Sequence, residues 1–226
     1  FFHPDPTVKR RSGFLIPTIQ SSNTNSFFNI PYFQVISDNK DITFSPRLYN
    51  ENKILLQTEY RQANLKSFHL SDFSFFKENG EESKNHFFYE LNKKINYLNF
   101  EDGDIDLKFQ KTSNDTYLRA NKLKSPIITN KEFLESSINL DLYSEDFSFR
   151  SELTVYEDLN KNHSDRYEFI LPRIDITKKI RNKTKLDGSF LLNSNNLIRN
   201  YETNIFEKTN INELVFNSTS KITNSG

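Results

Sequence analysis

The chain has 226 residues, 30 basic against 30 acidic side chains, and an apolar content of 35%. Balanced charge argues against a nucleic-acid protein, which carries a basic excess. The lack of Cys removes any disulfide framework or thiolate metal site from these residues. No run approaches the length of about eighteen apolar residues that a membrane-crossing helix needs, and no signal peptide is present. The chain has no Met, opens on Phe1-Phe2-His3-Pro4 and closes on Thr223-Asn224-Ser225-Gly226. It is therefore expected to be a piece of a longer protein. Low apolar content suits disorder, but 22 Phe residues oppose it.

In chain order, runs at 13–20, 26–36, 41–49, 53–63, 66–76 and 85–98 read as strands, followed by 104–112. In that last run Ile105, Leu107 and Phe109 share one face, while Asp104, Asp106, Lys108 and Gln110 share the other. Such alternation is the period of a strand and not of a helix. Residues 113–132 are the least regular and predict a long loop with a short strand at Thr116–Ala120. Further strands are predicted at 133–144, 146–157, 165–178, 184–193, 197–207 and 211–222. In 147–156, Phe147, Phe149, Leu153 and Val155 face one way, with Ser151 as the gap. Turn signals separate the runs, among them Ser37-Asp38-Asn39-Lys40-Asp41, Glu78-Asn79-Gly80-Glu81, Glu101-Asp102-Gly103-Asp104 and Asn193-Ser194-Asn195-Asn196. About a dozen strands of this length, joined by polar turns, match tilted membrane-spanning hairpins. Period two alone fits a soluble β-sandwich or solenoid equally well.

The first sixty residues are more specific. They read H-P-D-P-T-V-K-R-R-S-G-F-L-I-P at 3–17, I-P-Y-F-Q-V-I-S-D-N-K-D-I-T-F-S-P-R-L-Y at 30–49 and L-L-Q-T-E-Y-R at 55–61. Pro17 and Pro31 each interrupt a strand-like run, where a residue without an N–H weakens the ladder. They could equally begin strands or mark bulges. Gly13 fits a tight bend. Lys9, Arg10 and Arg11 precede it as a basic group, suited to bidentate phosphate contacts or to a solvated turn. Arg47, Glu59 and Arg61 fit a salt-bridged structural role.

This block resembles the junction of the LptD family of lipopolysaccharide-assembly proteins, where a periplasmic jelly roll meets the first barrel strands. The family pattern is a basic pair, Ser-Gly-Phe-Leu, a proline, Pro-Tyr-Tyr, an Asp-Xaa-Thr strand, a proline and Glu-Tyr/Phe-Arg; here Phe33 stands for the commoner second Tyr. N-D-T-Y-L-R at 114–119 and S-D-R-Y-E-F-I-L-P at 164–172 resemble alphaproteobacterial members, so the resemblance spans about 1–172. It implies an all-β fold, an antiparallel transmembrane β-barrel portion supplying part of a larger barrel. Residues 1–11 would end the jelly roll or linker, and 12–226 would form the first part of the outer-membrane barrel. The implied function is insertion of lipopolysaccharide into the outer leaflet of the Gram-negative outer membrane. The implied partners are lipopolysaccharide, a plugging LptE lipoprotein, the LptA periplasmic bridge and outer-membrane lipids. Pro17 and Pro31 would then weaken a lateral gate, with Phe14, Leu15, Ile30 and Phe33 along the substrate path. Gly13 would be a hinge, and Lys9, Arg10 and Arg11 would meet lipid A phosphates.

Other chemistry has little support. The His residues at 3, 69, 86 and 163 have no ligand spacing, so no zinc site is expected. Glu101-Asp102-Gly103-Asp104-Ile105-Asp106 lacks the full calcium-loop pattern. No nucleotide or nucleophile-elbow motif occurs, so neither an enzyme nor a cofactor is expected. A porin or TonB-dependent receptor shares the hairpin rhythm but does not account for the first sixty residues.

Overall fold

The computed structural model describes residues 10–21, 26–50, 52–96, 100–181, 186–201 and 205–220. Among them are fourteen strands and one short α-helix. Every ladder whose register is defined is antiparallel. The fold is all-β and consistent with a portion of a barrel. The residues form two units, Phe1–Glu90 with Phe109–Lys131, and Leu91–Lys108 with Glu132–Gly226.

The first unit begins with β1 (Gly13–Phe14), β2 (Thr18–Gln20), β3 (Phe27–Asn29) and β4 (Tyr32–Ser37). The sequence predicts two strands here; the structure breaks each of them at its proline. β5 (Lys40–Tyr49), β6 (Ile54–Asn64) and β7 (Ser67–Lys77) follow, with β8 (Lys84–Lys94) and β9 (Asp102–Thr112) contributing residues to both units. The hydrogen-bonded order is β1-β4-β5-β6-β7-β8, with β3 pairing β2 and β5. Register holds without a shift along β6 and β7, from Ile54↔Lys77 to Asn64↔Ser67.

Alternation gives this unit two unlike faces. On one, Leu55, Gln57, Leu70, Asp72, Ser74, Phe76, His86 and Phe88 are all buried. On the other, Ile54, Leu56, Phe73, Phe75 and Phe87 are exposed. The buried face thus mixes polar and apolar side chains, while the other sets a row of large apolar ones outward, where a water-soluble sheet places polar residues. What covers this mixed face is the connection after β9. It holds α1 (Tyr117–Ala120), whose Tyr117 and Leu118 are fully buried together with Leu123 and Ile127.

This helix replaces the short strand predicted at Thr116–Ala120. Asn114 explains the difference: its Oδ1 accepts from Thr116 N at 3.0 Å and Thr116 Oγ1 at 2.8 Å, starting a turn. The helix ends in a Schellman motif. Leu123 N donates to Leu118 O at 3.2 Å and Lys122 N to Arg119 O at 3.0 Å. Lys122 takes the left-handed conformation there, with φ of 47°.

The second unit contains β10 (Phe133–Ser144), β11 (Phe147–Asp158), β12 (Tyr167–Arg181), β13 (Leu186–Tyr201) and β14 (Ile205–Ser220). Consecutive strands pair from β9 to β14. Ile138 faces Leu153 across the ladder and both are exposed. Polar residues pair on the opposite face, with Arg150 Nε donating to Asp141 Oδ1 at 2.6 Å and Lys108 Nζ to Glu135 Oε2 at 3.1 Å. Asp102 and Gly103 lie in β9 and not in the predicted turn. A Cβ at Gly103 would stand 2.9 Å from Ile95 Cγ1 and 3.1 Å from its carbonyl oxygen, so packing demands glycine. The turn predicted at 193–196 and the separate strands at 184–193 and 197–207 are also replaced: β13 runs unbroken through them. Asn193 pairs Glu213 and Asn196 pairs Asn210.

Candidate functional site

The first hairpin brings the sequence-predicted residues together. Gly13 pairs Phe33 and Phe14 pairs Tyr32, after which the ladder resumes only at Thr18↔Asn29. Pro17 and Pro31 both fall inside that interruption. Leu15 N still donates to Pro31 O at 2.8 Å, but neither proline can donate. The two prolines thus act on the same short length of ladder.

Apolar side chains crowd this break. Phe14 is 76% exposed and Ile16 86%, and Leu15 and Ile19 are exposed as well. Phe14 meets Tyr32 edge to face at 5.0 Å between ring centroids. Ile30 and Phe33 are half-buried. Gly13 lies within β1, and nothing stands within 4 Å of where its Cβ would be. Neither space nor a left-handed backbone demands glycine there.

Of the basic group, Lys9 lies outside the described residues. Arg10 forms an ion pair with Asp41 and sits over the Phe33 ring, 5.5 Å from its centroid. Asp41 is buried and also accepts from Arg61 Nε at 2.8 Å. Arg61 in turn lies 3.5 Å from Glu59. Both Arg10 and Arg11 are exposed, but Arg10 is tied to the buried Asp41. Arg61 and Glu59 have the salt-bridged setting expected from sequence, whereas Arg47, grouped with them there, hydrogen-bonds to Asn121 O and Gln57 Oε1.

Sequence reasoning missed a second constellation, the buried polar face beneath α1. Asp72 Oδ1 accepts from His86 Nε2 at 2.6 Å, and Gln57 Nε2 donates to Asp72 Oδ2 at 2.9 Å. Ser74 Oγ lies 2.6 Å from His86 Nδ1 and 2.7 Å from the Tyr117 hydroxyl. Gln57 Nε2 also reaches Lys124 O at 3.2 Å, and Arg47 Nη1 donates to Asn121 O at 2.7 Å. These bonds fasten the connection to the sheet. Burial pushes the Tyr117 hydroxyl up to about 12, so it stays protonated and can donate to Ser74. Ser74, His86 and Asp72 have the order of a nucleophile relay, but all three are fully buried and the serine is occupied by Tyr117. The arrangement works as a lock. A faint signal was available: polar Gln57, Asp72, Ser74 and His86 all occupy the same alternate positions of β6, β7 and β8.

No family model matches the chain. It is 27% identical to the LPS-assembly protein LptD of Hahella chejuensis over 179 residues, 74% of this chain and 22% of that protein. It is 41% identical to that of Paraburkholderia xenovorans over 54 residues, 24% of this chain and 7% of that protein. To that of Escherichia coli O1:K1 it is 42% identical over 55 residues, again 24% and 7%.

The chain is LptD-like.

It spans only a minor part of the LptD proteins it matches, 22% or less of each of these three. The LptD likeness agrees with the all-β antiparallel architecture and with the resemblance carried by the first sixty residues.

Proposed function

We propose that the chain is part of a β-barrel that inserts lipopolysaccharide into the outer leaflet of the Gram-negative outer membrane. The observation that carries this reading is the exposed apolar face of an LptD-like chain, set opposite a buried face in which polar groups are mixed with apolar ones. Strands that expose Phe73, Phe75 and Phe87 and bury Asp72, Ser74 and His86 suit lipid on one side and a polar lumen on the other. The protein is thereby integral to the membrane, and its role is transport and not catalysis.

Lipopolysaccharide would arrive along a periplasmic bridge containing LptA, with LptE as the barrel plug and energy supplied by an inner-membrane ATPase. The interrupted first hairpin is the candidate exit. Parting strands that share few hydrogen bonds costs less than parting a full ladder. Phe14, Leu15, Ile30 and Phe33 would then brush acyl chains. Of the basic residues, Arg11 is best placed for lipid A phosphates, because Arg10 is held by Asp41.

The test is photo-crosslinking in the full-length protein, with the reactive residue at Phe14 and separately at Ile30. ATP-dependent lipopolysaccharide adducts at either position support a translocon. Loss of adducts at both, in protein folded in the outer membrane, favours a porin or TonB-dependent receptor.

A further inference from the structure

Arg47 and Asn29 are direct cross-strand partners on β5 and β3. Arg47 is only 9% exposed, and its guanidinium is divided among several tasks. Nη1 holds Asn121 O at 2.7 Å, Nη2 reaches Gln57 Oε1 at 3.4 Å, and the group lies over the Phe27 ring at 5.2 Å. Its Nε is buried and has no hydrogen-bond partner among the described residues. The same is true of Asn29 Oδ1. Both residues line one chamber of about 190 Å3, together with Thr43, Ser45, Glu59 and Lys124.

Buried polar atoms in native proteins are rarely left without partners, because each costs its full desolvation penalty. Here the two orphans are complementary in kind: Arg47 Nε only donates and Asn29 Oδ1 only accepts. A group that accepts from one and donates to the other satisfies both. Charge does not select an ion. Arg47 and Lys124 are balanced by Glu59 and Asp72 around the same chamber. The hydroxyls of Thr43 and Ser45 extend the same donor-and-acceptor lining. Liquid water takes about 30 Å3 per molecule, so the space suits a few waters or one sugar ring.

We propose that this chamber is a hydroxyl-binding site, in which a neutral O–H group bridges Arg47 Nε and Asn29 Oδ1. Its source is water or a carbohydrate hydroxyl. The site joins two parts of the first unit: Arg47 grips the connection at Asn121, while Asn29 Nδ2 lies 3.4 Å from Thr18 Oγ1 on the first hairpin. The bridging hydroxyl therefore completes the contact between the α1 connection and the strands beside the proline break. This inference stands on the chamber alone and does not need the transport reading.

The test is a structure of the full-length protein at a resolution that shows ordered water, prepared without saccharide and again with D-glucose. Density within hydrogen-bonding distance of both atoms in the saccharide-free protein identifies water. Density that appears only with glucose identifies a carbohydrate subsite. An empty chamber in both preparations, with Arg47 and Asn29 bonded directly or turned away, overturns the proposal. Asn29→Leu and Asn29→Asp in the full-length protein provide a second reading. Leu removes the acceptor and Asp keeps one. Tryptic cleavage after Lys122 or Lys124 should rise at least about fivefold in Asn29→Leu and stay at the unsubstituted rate in Asn29→Asp. Equal rates in the two variants overturn the bridge.

Discussion

Asp72 has both carboxylate oxygens occupied, one by His86 and Gln57 and the other by Gln57 alone, and is fully buried. A charge so placed is tolerated only while its partners remain. Asp72→Ala leaves His86 and Gln57 buried without their acceptor. It should cost about 3–5 kcal/mol, read as a lowered urea midpoint of the full-length barrel on a folding-sensitive gel. Asp72→Asn keeps an acceptor and should cost about 1–2 kcal/mol. Tyr117 makes a different prediction. Burial is the main cause of its raised pKa, which moves from 10.0 to about 12, with Tyr49 and Asp72 adding to it and Ser74 and Arg47 opposing it. The folded state thus holds the phenolic proton more tightly than the unfolded state does. The resulting stability is fully present below pH 10 and is lost as pH rises from 10 towards 12. Urea melts of full-length protein and of Tyr117→Phe, repeated across that range, should show the advantage of the native tyrosine shrinking with pH. A constant difference between the two would contradict a buried phenol.

The α1 helix ends on a residue that carries a backbone penalty. Lys122 has φ of 47°, a region that costs a side-chain-bearing residue roughly 1–2 kcal/mol. Lys122→Gly should therefore tighten the Schellman end by about 0.5–1 kcal/mol. Hydrogen exchange at the Leu123 amide, which donates to Leu118, should slow about two- to fivefold. Faster exchange would mean that the lysine side chain holds the connection in some other way. This element was hidden in the sequence for a plain reason. Four helical residues show no period, and Asn114-Asp115-Thr116 signals a turn but not the helix beyond it. The long strands were legible because Ile105, Leu107 and Phe109 alternate with charges, and no helix places them on one face. Asn193-Ser194-Asn195-Asn196 misleads in the opposite direction. Composition reads as a turn, but a strand with partners on both sides has its backbone groups satisfied, and the side chains find local partners. Ser194 Oγ donates to Asn212 Oδ1 at 2.6 Å and Asn196 Nδ2 to Pro172 O at 3.1 Å. Pro17 and Pro31 were visible as strand interruptions. Their meeting at one gap was not, because that depends on register, which the sequence alone leaves open. The Asp72–His86 lock was missed because its members lie on three strands and a loop, with no linear spacing to read.

In a barrel that crosses the outer membrane, hairpin turns are short on the periplasmic side and longer outside. The first unit has both kinds. β4 and β5 are joined through Asp38-Asn39, and β6 and β7 through Leu65-Lys66. At the opposite strand ends, β5 leads to β6 through residues 50–53, β7 to β8 through 78–83, and the α1 connection comes after β9. Gly13 pairs Phe33, on the strand that runs to the short Asp38-Asn39 turn, so β1 starts towards the short-turn end. If the two-residue turns mark the periplasmic end, as the proposed barrel would have it, the α1 end faces outward and the α1 connection folds back from outside onto the buried face, although the seven-residue connection from β8 to β9 also lies at the end of the two-residue turns. Cysteine placed singly at Lys66 or Glu81, both exposed, separates the two orientations in a full-length protein lacking other reactive thiols. A maleimide that cannot cross the outer membrane should label the Glu81 position in intact cells and spare the Lys66 position until the membrane is opened. The reverse pattern would turn the first unit over. The α1 connection would then enter from the periplasm, and the polar lock would guard the inner mouth of the barrel. Labelling of both positions in intact cells would remove the bilayer from between the two ends, and with it the reason for Phe73, Phe75 and Phe87 to face outward.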